Sequence, residues 1–329
     1  MNPDNKNTLN LTSSPHIRSP ETVSRIMWSV FFCLLPAGII SIYVFGLSTL
    51  WIIITAILAA VLTEYGCCIV QKKKITISDG SAVLTGLLLA YNLPPQSPLW
   101  MAFLGSFIAV LFGKALFGGL GFNIFNPALI GRVFLMASFP TLMTRWPAPF
   151  TVDAVIAPTP LAVFKDGFEG TNLFLDAEII HYSYRDLFLG FRGGCIAEAS
   201  ILALLLGAAY LIYKRYISWH IPLSYIASVG IFAWVFSGTG LFKGDFILHI
   251  LSGGLVLGAF YMATDYVTGP ITKKGQLIFG VGCGVITSVI RLWGGYPEGV
   301  SYSILLMNTL TPLIDRFVLP RRFGQESKK

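Results

Sequence analysis

The stretch "GSAVLTGLLLAYNLPP", Gly80–Pro95, decides how this chain folds. It is apolar, but Pro94-Pro95 stops it well short of the roughly 20 residues a helix needs to cross a bilayer. Its small residues and its polar end at Asn92 mark it as a broken or half-membrane helix. Such an element survives at membrane depth only where protein or a cavity satisfies the freed backbone groups. A second stretch, "GGLVLGAFYMATD" (Gly253–Asp265), resembles it: Val83 matches Val256, Leu84 matches Leu257, Ala90 matches Ala263 and Asn92 matches Asp265. After each come an apolar segment, a Gly pair (Gly118-Gly119; Gly294-Gly295), an Asn and a Pro (Asn126-Pro127; Asn308 and Pro312) and an Arg (Arg132; Arg316). Gly-rich membrane helices can look alike by composition. Here the order of features recurs too, which favours an internal duplication.

The whole chain agrees with a membrane reading. It has 329 residues, 54% hydrophobic and 12% charged, where soluble domains carry about 25% charged residues. Its mean hydropathy is +0.71. Apolar runs near 26–46, 48–70, 80–93, 98–117, 126–143, 193–213, 219–238, 244–263, 275–293 and 299–316 give about ten segments. The expected fold is an all-α polytopic membrane protein with about ten transmembrane segments in two inverted five-segment repeats. An odd number of spans per repeat forces the inversion. The expected parts are a cytoplasmic segment 1–25, a first repeat 26–143, an extracytoplasmic loop 144–192, a second repeat 193–316 and a cytoplasmic tail 317–329. The net charge of +7 lies in short basic groups between apolar runs, a pattern of membrane loops rather than of nucleic-acid binding. With both termini cytoplasmic, seventeen Lys and Arg fall on that side and six on the other. The polar stretch before Arg25 lacks the apolar region of a signal peptide. Cys67-Cys68 read as packing residues, since adjacent thiols share one metal poorly.

Two sets of residues are placed to carry chemistry. The outward loop contains "FTVDAVIAPTPLAVF", Phe150–Phe164, with Asp153, Thr159 and Leu161. Pro158 fixes its own φ and biases its neighbour towards extended geometry, so Thr159 is expected to present an exposed hydroxyl. By itself "APTP" is equally an ordinary Pro-rich turn. The second set, Asp79, Asn92, Asn126, Asp265, Thr268 and Thr272, flanks the two small-residue stretches. Glu64, Glu198, His249 and Arg291 lie in or near spans. Polar groups at such depth serve either an ion or ligand path or helix capping and snorkelling.

The runs "ISDGSAVLTGLLLAYNLPP" (Ile77–Pro95), "FNPALIGRVFL" (Phe125–Leu135) and "ATDYVTGPIT" (Ala263–Thr272) resemble the D subunit of the Rnf complex. They are also similar to the related B subunit of the sodium-pumping NADH:quinone reductase, Nqr. The resemblance runs from about Pro15 to Arg316. It implies an FMN joined through its phosphate to a Thr hydroxyl of the outward loop. The matching positions are Asp153, Thr159 as acceptor and Leu161. Ile156 departs from the family's Ser/Thr slot and Pro158 from its small-residue slot. A tethered flavin keeps its redox ring free while the protein sets its position and potential. Phe150, Phe164, Phe168, Phe174, Tyr182 and Tyr184 are placed either to flank that ring or to sit at the membrane interface. The Nqr relative also holds a non-covalent riboflavin in its membrane region, which makes Asp79, Asn92, Asn126, Asp265 and Thr268 an expected ion or second-flavin path.

The chain has no GxGxxG after a strand, no P-loop and no Cys cluster for iron–sulfur ligation. It therefore needs partners to close an electron circuit. The resemblance names them as the other Rnf subunits (A, B, C, E and G), with a flavin transferase for maturation and membrane lipid around it. The reading that follows is a subunit of an ion-translocating ferredoxin:NAD+ oxidoreductase in the bacterial inner membrane. It would relay electrons coupled to Na+ or H+ movement. Two other readings stay open at this point: a small-solute channel or transporter without redox chemistry, and a scaffold subunit whose flavin site has decayed.

Overall fold

The computed structural model describes residues 21–150, 159–169, 183–190, 192–238, 240–296 and 298–319. Among them every regular element is helical. Helix α1 (Val23–Phe45) and α2 (Leu47–Val70) are followed by the short α3 (Ser81–Tyr91). Next come α4 (Leu99–Val110), α5 (Pro127–Ser138), one turn of α6 (Pro140–Met143), α7 (Pro160–Glu169) and α8 (Tyr184–Leu189). The rest are α9 (Ile201–Tyr213), α10 (His220–Phe236), α11 (Phe246–Leu251), α12 (Leu255–Leu257), α13 (Lys273–Trp293) and α14 (Val300–Phe317). Helices α4 and α12 each run on into a π-helical turn, Leu111–Ala115 and Gly258–Met262.

Three helices, α1, α2 and α13, are long and apolar enough to cross a membrane, and several shorter ones are apolar. On α1 and α2 the apolar character goes all the way round. Phe32, Ile39, Tyr43, Trp51 and Leu62 are exposed on sides that water would disfavour. This is a membrane protein, with its outer apolar surface suited to lipid. Three of the expected apolar runs are not single helices. Pro140 divides 126–143 because it cannot continue the hydrogen-bond ladder of α5. Gly253, at φ +68, divides 244–263 into α11 and α12. The run 193–213 begins as a 3-10 turn, Ile196–Ala199, before α9.

Packing follows two similar sets. Helix α2 lies against α3 and α4, and α4 against α5; α10 lies against α13, and α13 against α14. The pair α1 and α9 joins the sets, and one apolar core runs through both. At the end of α3, the Tyr91 hydroxyl donates to Leu34 O of α1 at 2.7 Å. At the π turn after α12, the Tyr261 hydroxyl donates to Leu204 O of α9 at 2.8 Å. Each tyrosine enters through a glycine notch. A Cβ on Gly38 or on Gly207 would stand 2.4 Å from the tyrosine oxygen. The C-terminal ends of these two short helices meet, with Asn92 Nδ2 at 3.7 Å from Met262 Sδ and Asn126 Nδ2 donating to Met262 O at 3.2 Å.

Candidate functional site

Thr159 caps the start of α7. Its Oγ1 accepts from Ala162 N at 3.2 Å, satisfying one of the amides that a helix start leaves free. The residue is 3% exposed, so the expectation of an exposed hydroxyl is corrected. Capping turns the oxygen towards its own helix, and α7 is laid on the protein rather than held away from it. Leu161 is buried too, with its Cδ1 crowding Gly253, where α12 begins. Phe164 meets the ring of His249 edge-on, centroids 5.0 Å apart, and the Lys165 ammonium donates to Gly294 O. Asp153, Ile156 and Pro158 lie outside the described residues.

Beneath α7 is a buried group of charges. Arg132 of α5 donates to Asn92 Oδ1 at 2.5 Å and pairs with Glu298. Its positive charge therefore stands where two helix C-termini converge, the end of a helix that favours cations. Arg192 lies 3.5 Å from Glu198 and donates to Leu251 O at 2.5 Å. Arg291 of α13 donates to His249 O at 2.6 Å and Ser252 O at 3.1 Å. Arg192 and Arg291 thus hold the last carbonyls of α11. Gly253 allows this crowding: a Cβ there would stand 2.8 Å from an Arg291 nitrogen. A ligand atom from each of Cys195, Glu198 and Glu298 lies within 4.8 Å of the others. The guanidiniums already hold both carboxylates, which leaves little negative charge there for a metal ion.

A second polar group lies at the other end of α3. Lys114, in the π turn after α4, donates to Glu64 at 2.7 Å and to Ser81 Oγ at 2.5 Å. Thr76 donates to the other Glu64 oxygen at 2.7 Å. Asp79 accepts from Ser81 N at 2.8 Å. A cavity of about 90 Å³ adjoins this group, and its polar wall is Ser81, Thr85, Lys114, Asn123, Asn126 and Asp265. π turns lose regular ladder bonds and often mark working positions.

The structure therefore brings Asn126 and Asp265 together on one cavity wall and ties Thr268 to Asp265 at 3.2 Å. Asn92 goes instead to the Arg132 group, and Asp79 reaches the cavity only through Ser81. Thr272 caps α13 through Gly275 N at 3.0 Å, a structural part. Sequence reasoning treats Lys114, Arg132 and Arg192 as loop charges and passes over Glu298. The structure buries all four. The available signal was a lone charge inside an apolar run, as in "LFGKALF" and "LIGRVFL".

Comparison with known proteins gives one consistent result. The model of the NQR2, RnfD, RnfE family matches residues 10–324. A relative from Clostridium ljungdahlii, the D subunit of a proton-translocating ferredoxin:NAD(+) oxidoreductase complex, is 53% identical over 323 residues, 97% of each chain. One from Acetobacterium woodii, the D subunit of a Na(+)-translocating ferredoxin:NAD(+) oxidoreductase complex, is 49% identical over 97% of this chain and 96% of its own. The D subunit of an ion-translocating oxidoreductase complex from Stutzerimonas stutzeri is 40% identical over 93% of this chain and 94% of its own. With a family model spanning nearly the full length and near-complete alignments at such identity, the chain belongs to the NQR2, RnfD, RnfE family.

Proposed function

We propose that this chain is the D subunit of an ion-translocating ferredoxin:NAD+ oxidoreductase, working only inside its multi-subunit complex. The observation that carries the reading is the 53% identity to a subunit of that name over 97% of both chains. The complex sits in the cytoplasmic membrane, and the other subunits supply the NAD site and the iron–sulfur clusters that this sequence lacks.

Within that reading, Thr159 carries an FMN as a phosphoester. Charge supports it. Among the described residues beneath α7, Arg132, Arg192 and Arg291 face two carboxylates, Glu198 and Glu298. A phosphate esterified on both sides carries one negative charge, which guanidiniums attract. The start of α7 adds amides that favour an anion. The FMN, when bound, supplies one- and two-electron redox chemistry. This chain's residues hold it and set its surroundings.

The ten-span inverted repeat belongs to the same proposal. It is supported by the matched tyrosine notches at Gly38 and Gly207, the matched helix packing and the meeting C-termini of α3 and α12. Both short helices also start beyond a glycine in the left-handed region, Gly80 at φ +79 and Gly253 at φ +68. A solute channel would need an open path at that meeting point, and the Arg132–Glu298 pair occupies its flank. A non-covalent riboflavin is assigned to the cavity walled by Asn126 and Asp265, whose amides, hydroxyls and carboxylate match a flavin's imide edge. The cavity is about 90 Å³, smaller than a flavin ring, so a bound riboflavin would require it to widen.

The test is denaturing electrophoresis of the full chain made with a flavin transferase, beside Thr159→Ala. A fluorescent band that the substitution removes is the expected result. Acid-extractable riboflavin should persist in both samples. A band that survives in the variant would move the acceptor to another residue, and a dark wild-type band would end the covalent-flavin reading. Loss of the extractable flavin from wild type would end the second-flavin assignment.

A further inference from the structure

Between α7 and the ends of α10 and α13 lies a cavity of about 240 Å³. Its walls are Phe164 and Lys165 from α7, Phe236 and Ser237 from the end of α10, and Arg291, Leu292 and Trp293 from the end of α13. The composition is that of a small-molecule site: mostly aromatic and apolar, with a few polar groups. Two wall residues carry buried polar atoms with no hydrogen-bond partner, Ser237 Oγ and Arg291 Nε. Such atoms cost free energy when left unpaired, so they point to a ligand with polar groups of its own.

We propose that this cavity seats the isoalloxazine ring of the flavin on Thr159, with the ring's carbonyl- and imide-bearing edge towards Ser237 and Arg291 and its flat faces against the aromatic walls. The assignment rests on the Thr159 reading above and deepens it. Position fits: Phe164 and Lys165 stand five and six residues beyond Thr159 on one helix, about 8–9 Å along its axis at 1.5 Å per residue. A ribityl chain and phosphate cover that reach. Size fits as well, since about 240 Å³ falls just below the range of roughly 300–1,000 Å³ for whole small-molecule sites. It holds a ring head and leaves the ribityl phosphate outside, along α7. The chemistry of the polar edge decides the direction of entry. That edge carries the ring's two carbonyl acceptors, to which the Ser237 hydroxyl and the Arg291 N–H can donate. Trp293 belongs to the wall and is itself 63% exposed, so part of the ring would stay open to a redox partner.

Reduction puts negative charge on the polar edge of a flavin. Lys165 and Arg291 in the wall therefore favour the reduced form and raise the flavin's reduction potential. Lys165→Gln removes one of these charges and keeps most of the side chain's volume. Trp293→Leu removes an indole that would quench flavin emission by contact.

Both variants are made in the full flavinylated chain purified in detergent, with Thr159→Ala as control. The expected result has three parts. The wild-type band is fluorescent on a denaturing gel but weakly emissive when native. Trp293→Leu raises native emission several-fold at equal flavin content. Lys165→Gln shifts the midpoint potential to a more negative value. A fluorescent denatured band with native emission and potential unchanged in both variants would overturn the seat and leave Thr159 as acceptor. A dark wild-type band would remove acceptor and seat together.

Discussion

At the scale of the residue, the feature that matters most is the pair Arg132–Glu298. Both are buried, and they come from α5 and from the turn before α14, so each is the other's compensation across a long sequence gap. Removing one partner of such a pair strands a charge. Arg132→Met is expected to cost about 3–5 kcal/mol, and Glu298→Leu a similar amount. The double variant should recover much of the loss, because two well-packed apolar side chains replace a pair whose desolvation was already costly. Thermal unfolding of the four proteins in detergent measures the coupling. Simple additivity of the two single losses would mean that the residues do not act as a pair. This pairing is invisible in the sequence. Arg132 sits in "LIGRVFL" with no acidic neighbour, so it reads as one of the charges that orient loops. Its partner is supplied only by the fold. Thr159 is a similar case. The spacing of Asp153, Thr159 and Leu161 is legible, but the burial of Thr159 depends on α7 lying against Gly253.

At the scale of the element, the broken helices are the most legible part of the chain. Pro94-Pro95 and Gly253-Gly254 announce stops because one removes a donor and the other permits a left-handed turn. The division at Pro140 follows the same rule and is masked by the apolar run on both sides. Close packing among these elements relies on missing side chains. Gly86 of α3 faces α2 so closely that a Cβ would stand 2.7 Å from Ala56 O and from Ile57 Cα. Both obstacles are backbone, which cannot swing aside. Gly86→Ala should therefore destabilise by about 1–3 kcal/mol through overpacking. Gly66 of α2 meets nothing within 4 Å, so Gly66→Ala should leave the midpoint of unfolding nearly unchanged or slightly higher. Equal effects of the two would mean that α3 does not pack on α2 as described. The π turns at Leu111–Ala115 and Gly258–Met262 leave no trace in composition, since a π turn differs from an α turn by one hydrogen-bond register.

At the scale of the whole molecule, the distribution of charge sets direction. Lys114, Arg132, Arg192 and Arg291 are buried, so they no longer count as loop charges. Removing them leaves fifteen basic residues on the side of the termini and four on the other. Fifteen against four still predicts cytoplasmic termini. That orientation predicts the loop between α2 and α3 inside and the start of α8 outside. Lys74 and Ser183 are exposed and report on these two places. In a background with Cys67 and Cys68 replaced by Ser, inverted sealed vesicles should label Lys74→Cys with a membrane-impermeant maleimide and leave Ser183→Cys unlabelled until the membrane is opened. The same vesicles present the ferredoxin and NAD+ side outward, so electron flow through the complete complex should accumulate the coupling ion inside. Coupling of this kind needs two conformations whose balance follows the redox state of the complex. The two short helices meet at their C-termini beside Arg132. A gradient imposed beforehand should then oppose net electron transfer, because moving each ion against it adds work to the coupled reaction. Electron transfer that neither builds a gradient nor responds to one would leave the helical core without a part in ion movement, and a reversed labelling pattern would place Thr159 on the cytoplasmic side.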